Sequence, residues 1–134
     1  MKINSKNLKS FLDWITVKII VDGDINKVVY FDEGQIWWVN LGHNIGSEQN
    51  GKHGNFERPV LILKRFNQDT LWCLPISSKI KEGKYYYNIS NGTNINSINL
   101  SQLRLISSKR LLRIISRIDA KHFEIVKDKI RKMI

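Results

Sequence analysis

The sequence predicts a mainly β domain of the α+β kind, a small barrel or two-sheet fold with a helix at each end. Three observations carry that expectation. Seven short segments rich in β-branched and aromatic residues follow one another between residues 27 and 118, Gly, Asn and Asp clusters separate them, and apolar residues at helical spacing bracket the series.

At the N-terminal side Leu8, Phe11, Leu12 and Ile15 fall at i, i+3, i+4 and i+7, with Asn4 or Ser5 as N-cap, so a helix is expected from Ser5 to about Val17. The β-branched pairs Thr16-Val17 and Ile19-Ile20 then favour extended chain before a turn at Asp22-Gly23-Asp24. Strands are expected at Lys27–Phe31, Gln35–Asn40, Pro59–Lys64, Thr70–Ile76, Lys84–Ile89, Leu100–Ile106 and Arg113–Ile118. Trp37 and Trp38 are adjacent, so a strand sends one into the core and the other toward a groove or interface. Asp119 should cap a closing helix that turns Phe123 and Ile130 inward and leaves Lys121, Lys127, Lys129 and Lys132 largely in solvent. The three Asn-x-Ser/Thr sequons, at 88–90, 91–93 and 99–101, read as chance products of a high Asn content.

Composition narrows the class. With 134 residues and 42% hydrophobic content the chain suffices for one compact core, and its apolar runs fall far short of the ~20 residues a membrane helix needs. The first residues lack a signal-peptide apolar region, so a soluble, cytoplasmic protein is expected. The single cysteine, Cys73, excludes an internal disulfide and reads as a small buried hydrophobe. A net charge of +10 points to a polyanionic partner. That charge is uneven: residues 103–134 carry ten basic and three acidic groups, whereas residues 33–102 carry seven and five.

Chemistry is bounded by elimination. His43, His53 and His122 show no metal-ligand spacing, and no nucleophile elbow or phosphate-binding loop is present. Acidic residues are too sparse for a two-metal nuclease, so no metal or cofactor is expected. If this basic protein is a nuclease it must work without metal, using Arg, Lys, Ser or Thr groups, and RNA permits that route because its 2′-OH is an internal nucleophile beside the scissile phosphorus.

Residues 34–42 (GQIWWVNLG), 45–51 (IGSEQNG) and 57–63 (ERPVLIL) resemble the opening motifs of MazF/PemK toxins, the ribonuclease halves of type II toxin–antitoxin pairs. Residues 74–79 (LPISSK) and 99–106 (NLSQLRLI) resemble the second and third motifs in the same order. The resemblance spans residues 34–134 as one toxin domain and leaves residues 1–33 as an N-terminal helical extension. It implies a CcdB/PemK-type SH3-like small β-barrel, a homodimer, metal-independent cleavage of single-stranded mRNA, and neutralisation by an acidic cognate antitoxin.

By position, the resemblance implies that Arg58 is the catalytic arginine and that Ser77 stands where the family has a catalytic threonine. A guanidinium can stabilise charge building on a phosphate; a hydroxyl can orient the 2′-OH but is a poor base by itself. Ser47, Glu48, Gln49 and Lys52 fall in the family's flap over the RNA groove, and Lys79 and Gln102 flank it, so these six are the candidate RNA-binding residues. The loop here runs on through Lys52-His53-Gly54-Asn55-Phe56, about five residues beyond compact members. His53 reads either as a general base or as a solvated loop residue, and Phe56 either stacks a base or anchors the loop. Two rival functions remain: a same-fold toxin that binds a protein such as DNA gyrase without cleaving RNA, and a catalytically silent RNA-binding module.

Overall fold

A computed structural model describes residues 1–91 and 93–134. Helix α1 spans Ser5–Gly23, strands β1 to β7 span Gln35–Asn40, Glu57–Arg65, Thr70–Ser77, Tyr86–Asn91, Asn94–Asn99, Arg104–Ser107 and Leu111–Arg117, and helix α2 spans Ala120–Lys132. The sheet runs β4-β5-β3-β2-β1-β7, antiparallel at every pairing. Strand β3 is shared: Thr70–Cys73 pair with β6, whereas Ile76 and Ser77 pair with β5. The path ends at β4 and β7, which are not neighbours, so among the described residues the expected barrel is an open sheet.

Strand β2 explains the uninterrupted apolar run Val60–Leu63. Its side chains alternate between two cores, Val60 and Ile62 joining Trp37, Val39, Leu71 and Cys73, and Leu61 and Leu63 joining Ile36, Leu74, Ile98 and Val126. Burial on both faces removes the usual polar alternation of a half-exposed strand. Helix α2 closes the second core with Val126 fully buried and Phe123 and Ile130 packed beside it, and Asp119 caps it by accepting from the His122 amide at 2.8 Å. Of its lysines, Lys121 and Lys132 are exposed, while Lys127 and Lys129 lie half-buried over the rings of Phe123 and Tyr87.

Several elements differ from expectation. Lys27–Phe31 forms no strand: Phe31 drops into the first core, and Lys27 Nζ donates to the Lys109 carbonyl at 2.9 Å. The expected strand at 100–106 begins as a 3-10 turn, Leu100–Gln102, before β6. Strand β5 was not foreseen, because its polar sequence NINSIN carries no strand signal and is held by pairing with β4. The 91–93 sequon includes Gly92, which lies outside the described residues.

Helix α1 is longer than predicted and docks on another face. Trp14 is its one buried residue, with Ser10, Phe11, Val17 and Val21 half-buried; Leu8, Leu12, Ile15 and Ile19 stay exposed. Apolar side chains surround this helix, so periodicity alone does not select the docking face. Shape does: the Trp14 ring lies on Gly42, where a Cβ would stand 2.5 Å from the indole.

Candidate active site

The segment between β1 and β2 is a tethered flap with a narrow neck. At its base Leu41 and Gly42 both donate to the Phe56 carbonyl, at 2.9 and 3.2 Å, and Gly51 donates to the Gly42 carbonyl at 2.8 Å. Beyond the neck Lys52 and Glu57 form a two-bond bridge that closes a tight turn in which His53 and Phe56 adopt positive φ, 65° and 52°. Gly51 is obligatory there, since a Cβ would lie 1.6 Å from the Phe56 carbonyl oxygen. The other lobe is built on polar side chains. Asn44 donates to the Gln49 carbonyl, Glu48 accepts from the Ile45 amide, and Gln102 accepts from the Gln49 amide and donates to the Ser47 carbonyl, both at 3.0 Å.

Arg58 sits at the foot of this flap, buried to 7% exposure at the second position of β2. Its Nε donates to the Asn50 carbonyl at 2.6 Å and its Nη1 to the Ile76 carbonyl at 3.2 Å, tying the flap to the end of β3. Burial pushes its pKa below the ordinary arginine value. The guanidinium lines a cavity of about 550 Å³ together with Trp38, Lys52, His53, Ser78, Asn96, Arg117 and His122, over an apolar floor that includes Ile36, Pro59 and Ile76. A second recess, about 440 Å³, lies on the far side of the flap among Asn44, Glu48, Gln49, Ser101, Gln102 and Arg104. Among the described residues no cluster of three or more His, Cys, Asp or Glu could hold a metal ion, and no helix is long and apolar enough to cross a membrane.

This arrangement can be set beside known proteins. A family model described as PemK-like, MazF-like toxin of type II toxin–antitoxin system matches residues 32–134. The chain belongs to that toxin family. Solved structures agree on the fold: MazF from Deinococcus radiodurans superposes with a TM-score of 0.60 at 18% identity, covering 81% of this chain and 97% of that one. The Mycobacterium tuberculosis toxin MazF-mt6 gives 0.56 at 16% identity, covering 73% and 93%. Comparison with curated proteins gives no match. PemK/MazF toxins are generally endoribonucleases, and as members of type II toxin–antitoxin systems they have an antitoxin partner.

Within the toxin domain the residues singled out from sequence divide among three places. Arg58 and Lys52 line the larger cavity; Glu48, Gln49 and Gln102 line the smaller recess, with Ser47 held beside it by Gln102. Ser77 ends β3 half-buried, its Oγ accepting from the Lys79 amide at 3.2 Å, and its neighbour Ser78, not Ser77, lines the Arg58 cavity, as do Ser90 and Ser116. Lys79 is exposed outside both recesses.

Several polar cavity residues were not singled out as binding groups from sequence, among them Ser78, Asn96, Arg117 and His122, alongside Ser90, Ser116 and the carboxylates Glu57 and Asp119. Ser78 adjoins a motif residue, so the Ser-Ser pair was the signal for it; Asn96 lies on the unforeseen β5; Arg117 and His122 belong to the basic C-terminal quarter. His122 is placed by its neighbours, with Nδ1 2.6 Å from the Tyr87 hydroxyl and Nε2 3.6 Å from Asp119. Burial first, and Asp119 second, raise the Tyr87 pKa above the ordinary tyrosine value. Trp37 fills the core, and Trp38 faces the cavity with the Arg113 guanidinium 5.2 Å from its ring centroid.

Proposed function

We propose that this chain is a metal-independent, sequence-specific endoribonuclease that cleaves single-stranded mRNA in the cytoplasm. It would halt translation and growth until its acidic antitoxin neutralises it, and would act as a homodimer. The observation that carries the reading is the placement of Arg58, a desolvated guanidinium lining a cavity at the foot of a flap in a chain of this toxin family. Its bonds to Asn50 and Ile76 use the Nε–H and one Nη1–H, which leaves the rest of the fork for a phosphate. In this low-dielectric position the charge stabilises the dianionic phosphorane formed when the 2′-OH attacks in line and yields its proton to solvent. Its lowered pKa also favours proton delivery to the leaving 5′ oxygen. Ser77, with Ser78 beside it, supplies hydroxyls that orient the 2′-OH, and Lys52 and Arg117 add positive potential at the cavity. The products are a 2′,3′-cyclic phosphate and a free 5′-OH.

Incubating the pure protein with a long unstructured RNA in EDTA, followed by mapping of new 5′ ends, tests the reading. Cleavage at a short recurring sequence leaving 5′-hydroxyl ends is the expected result. Intact RNA overturns it: binding without cleavage indicates an RNA-binding module, and neither binding nor cleavage indicates a toxin directed at a protein.

A further inference from the structure

Helix α1 precedes the residues matched to the toxin family, and it touches the flap neck at Gly42, His43 and Phe56. Trp14 packs edge-on against Phe56, ring centroids 5.6 Å apart, and covers Gly42, so one side chain bears on both strands of the flap neck. One turn earlier, Ser10 Oγ lies 2.7 Å from His43 Nδ1 and Phe11 stacks on the His43 ring at 4.2 Å. The opposite side of the indole is held by the toxin domain. Arg110 Cζ lies 5.5 Å from its centroid, and Arg110 Nη1 donates to the Asn40 and Leu41 carbonyls at 3.0 and 3.4 Å, where the flap begins.

We propose that Trp14 is a positioning residue: through α1 it fixes the angle of the flap over the Arg58 cavity, and with it the RNA sequence selected for cleavage. The selection half rests on the ribonuclease reading above. The flap carries Lys52 into the Arg58 cavity and Glu48 and Gln49 into the second recess, so a rotation at the Gly42–Phe56 neck moves both contact sets at once. Phe56 therefore anchors the loop, the second of the two roles open to it, and the left-handed backbone at Phe56 is kept in place by the indole against its ring.

Amide hydrogen exchange on the full chain reads flap position without reference to activity. In Trp14→Ala the neck amides of Gly51, Lys52 and Glu57 should exchange at least about tenfold faster while those of Val60–Leu63 in β2 and of β3 keep their rates. The same variant should cut RNA at a broader set of sequences, with KM rising more than kcat falls, and Trp14→Phe should restore both. Should Trp14→Ala fail to fold, Phe11→Ala, which removes only the His43 contact, must loosen the same neck amides selectively. Unchanged neck exchange, an equal rise throughout the sheet, or an unaltered cleavage pattern with a loosened flap overturns the proposal. If the wild-type chain cleaves no RNA, the ribonuclease reading falls, and the exchange comparison alone decides whether Trp14 holds the flap.

Discussion

The Nε of Arg58 donates to the carbonyl oxygen of Asn50 at 2.6 Å, so the guanidinium we propose acts on the phosphate is also a strut of the flap. Two functions in one side chain make arginine irreplaceable by lysine here. A planar fork reaches the Asn50 and Ile76 carbonyls and still offers N–H groups to a phosphate; a single ammonium does not span that geometry. Arg58→Ala and Arg58→Lys should each lower kcat by about 10² or more, the cost of deleting one transition-state donor. The measurement is single-turnover RNA cleavage in EDTA. A lysine variant with wild-type kcat would show that charge alone suffices.

Gln102 reaches across 53 residues of sequence to accept from the Gln49 amide, and its Nε2 donates to the Ser47 carbonyl. Each bond is worth about 1 kcal/mol net, so Gln102→Ala should raise KM for RNA about tenfold with little change in kcat. Gln102→Glu keeps the acceptor for Gln49 but loses the donor to Ser47 and places a negative charge against a carbonyl oxygen. It should bind RNA more weakly than the alanine variant, as measured by titration of a short uncleavable RNA.

The sequence exposed the parts of this molecule whose burial is simple. Strands β1, β2 and β3 were legible because their apolar runs belong to cores on both sheet faces, and α2 because Asp119 and a single stripe of Phe123, Val126 and Ile130 define it. Strand β5 was hidden, since polar residues such as Asn96 and Ser97 gain their place from the ladder with β4 rather than from their own propensity. The docking face of α1 was equally hidden, because Leu8, Leu12 and Ile15 outweigh Trp14 in any count of apolar positions, and the decisive partner, a bare Gly42, is 28 residues away. For the site, sequence motifs found Arg58 and Gln102 but gave no sign that Arg58 would spend two donors on backbone carbonyls.

Two glycines of the flap should respond oppositely to alanine. At Gly51 the new Cβ would meet the Phe56 carbonyl oxygen at 1.6 Å, and that oxygen is fixed by the Leu41 and Gly42 amides. At Gly54 nothing lies within 4 Å. Gly51→Ala should therefore cost about 2 kcal/mol or more, whereas Gly54→Ala should stay within about 0.5 kcal/mol of wild type. Urea unfolding midpoints distinguish the two, and equal midpoints would mean that the neck is not closed as described.

Cys73 provides a pH-dependent test of the first core. It is fully buried on β3, and that burial pushes its thiol pKa from 9.0 up to about 12. Native protein at pH 8 should therefore be inert to an aromatic disulfide reagent and react with one thiol only on unfolding. The linkage has a definite sign. Between pH 9 and 12 the unfolded thiol ionises while the folded one keeps its proton, so the native state binds more protons and stability falls as pH rises, by up to about 1.4 kcal/mol per unit. The raised Tyr87 pKa acts in the same direction above pH 10. Cys73→Val should flatten the decline between pH 9 and 10.5 in urea titrations, and an identical slope in the variant would show that the thiol is not sealed from water.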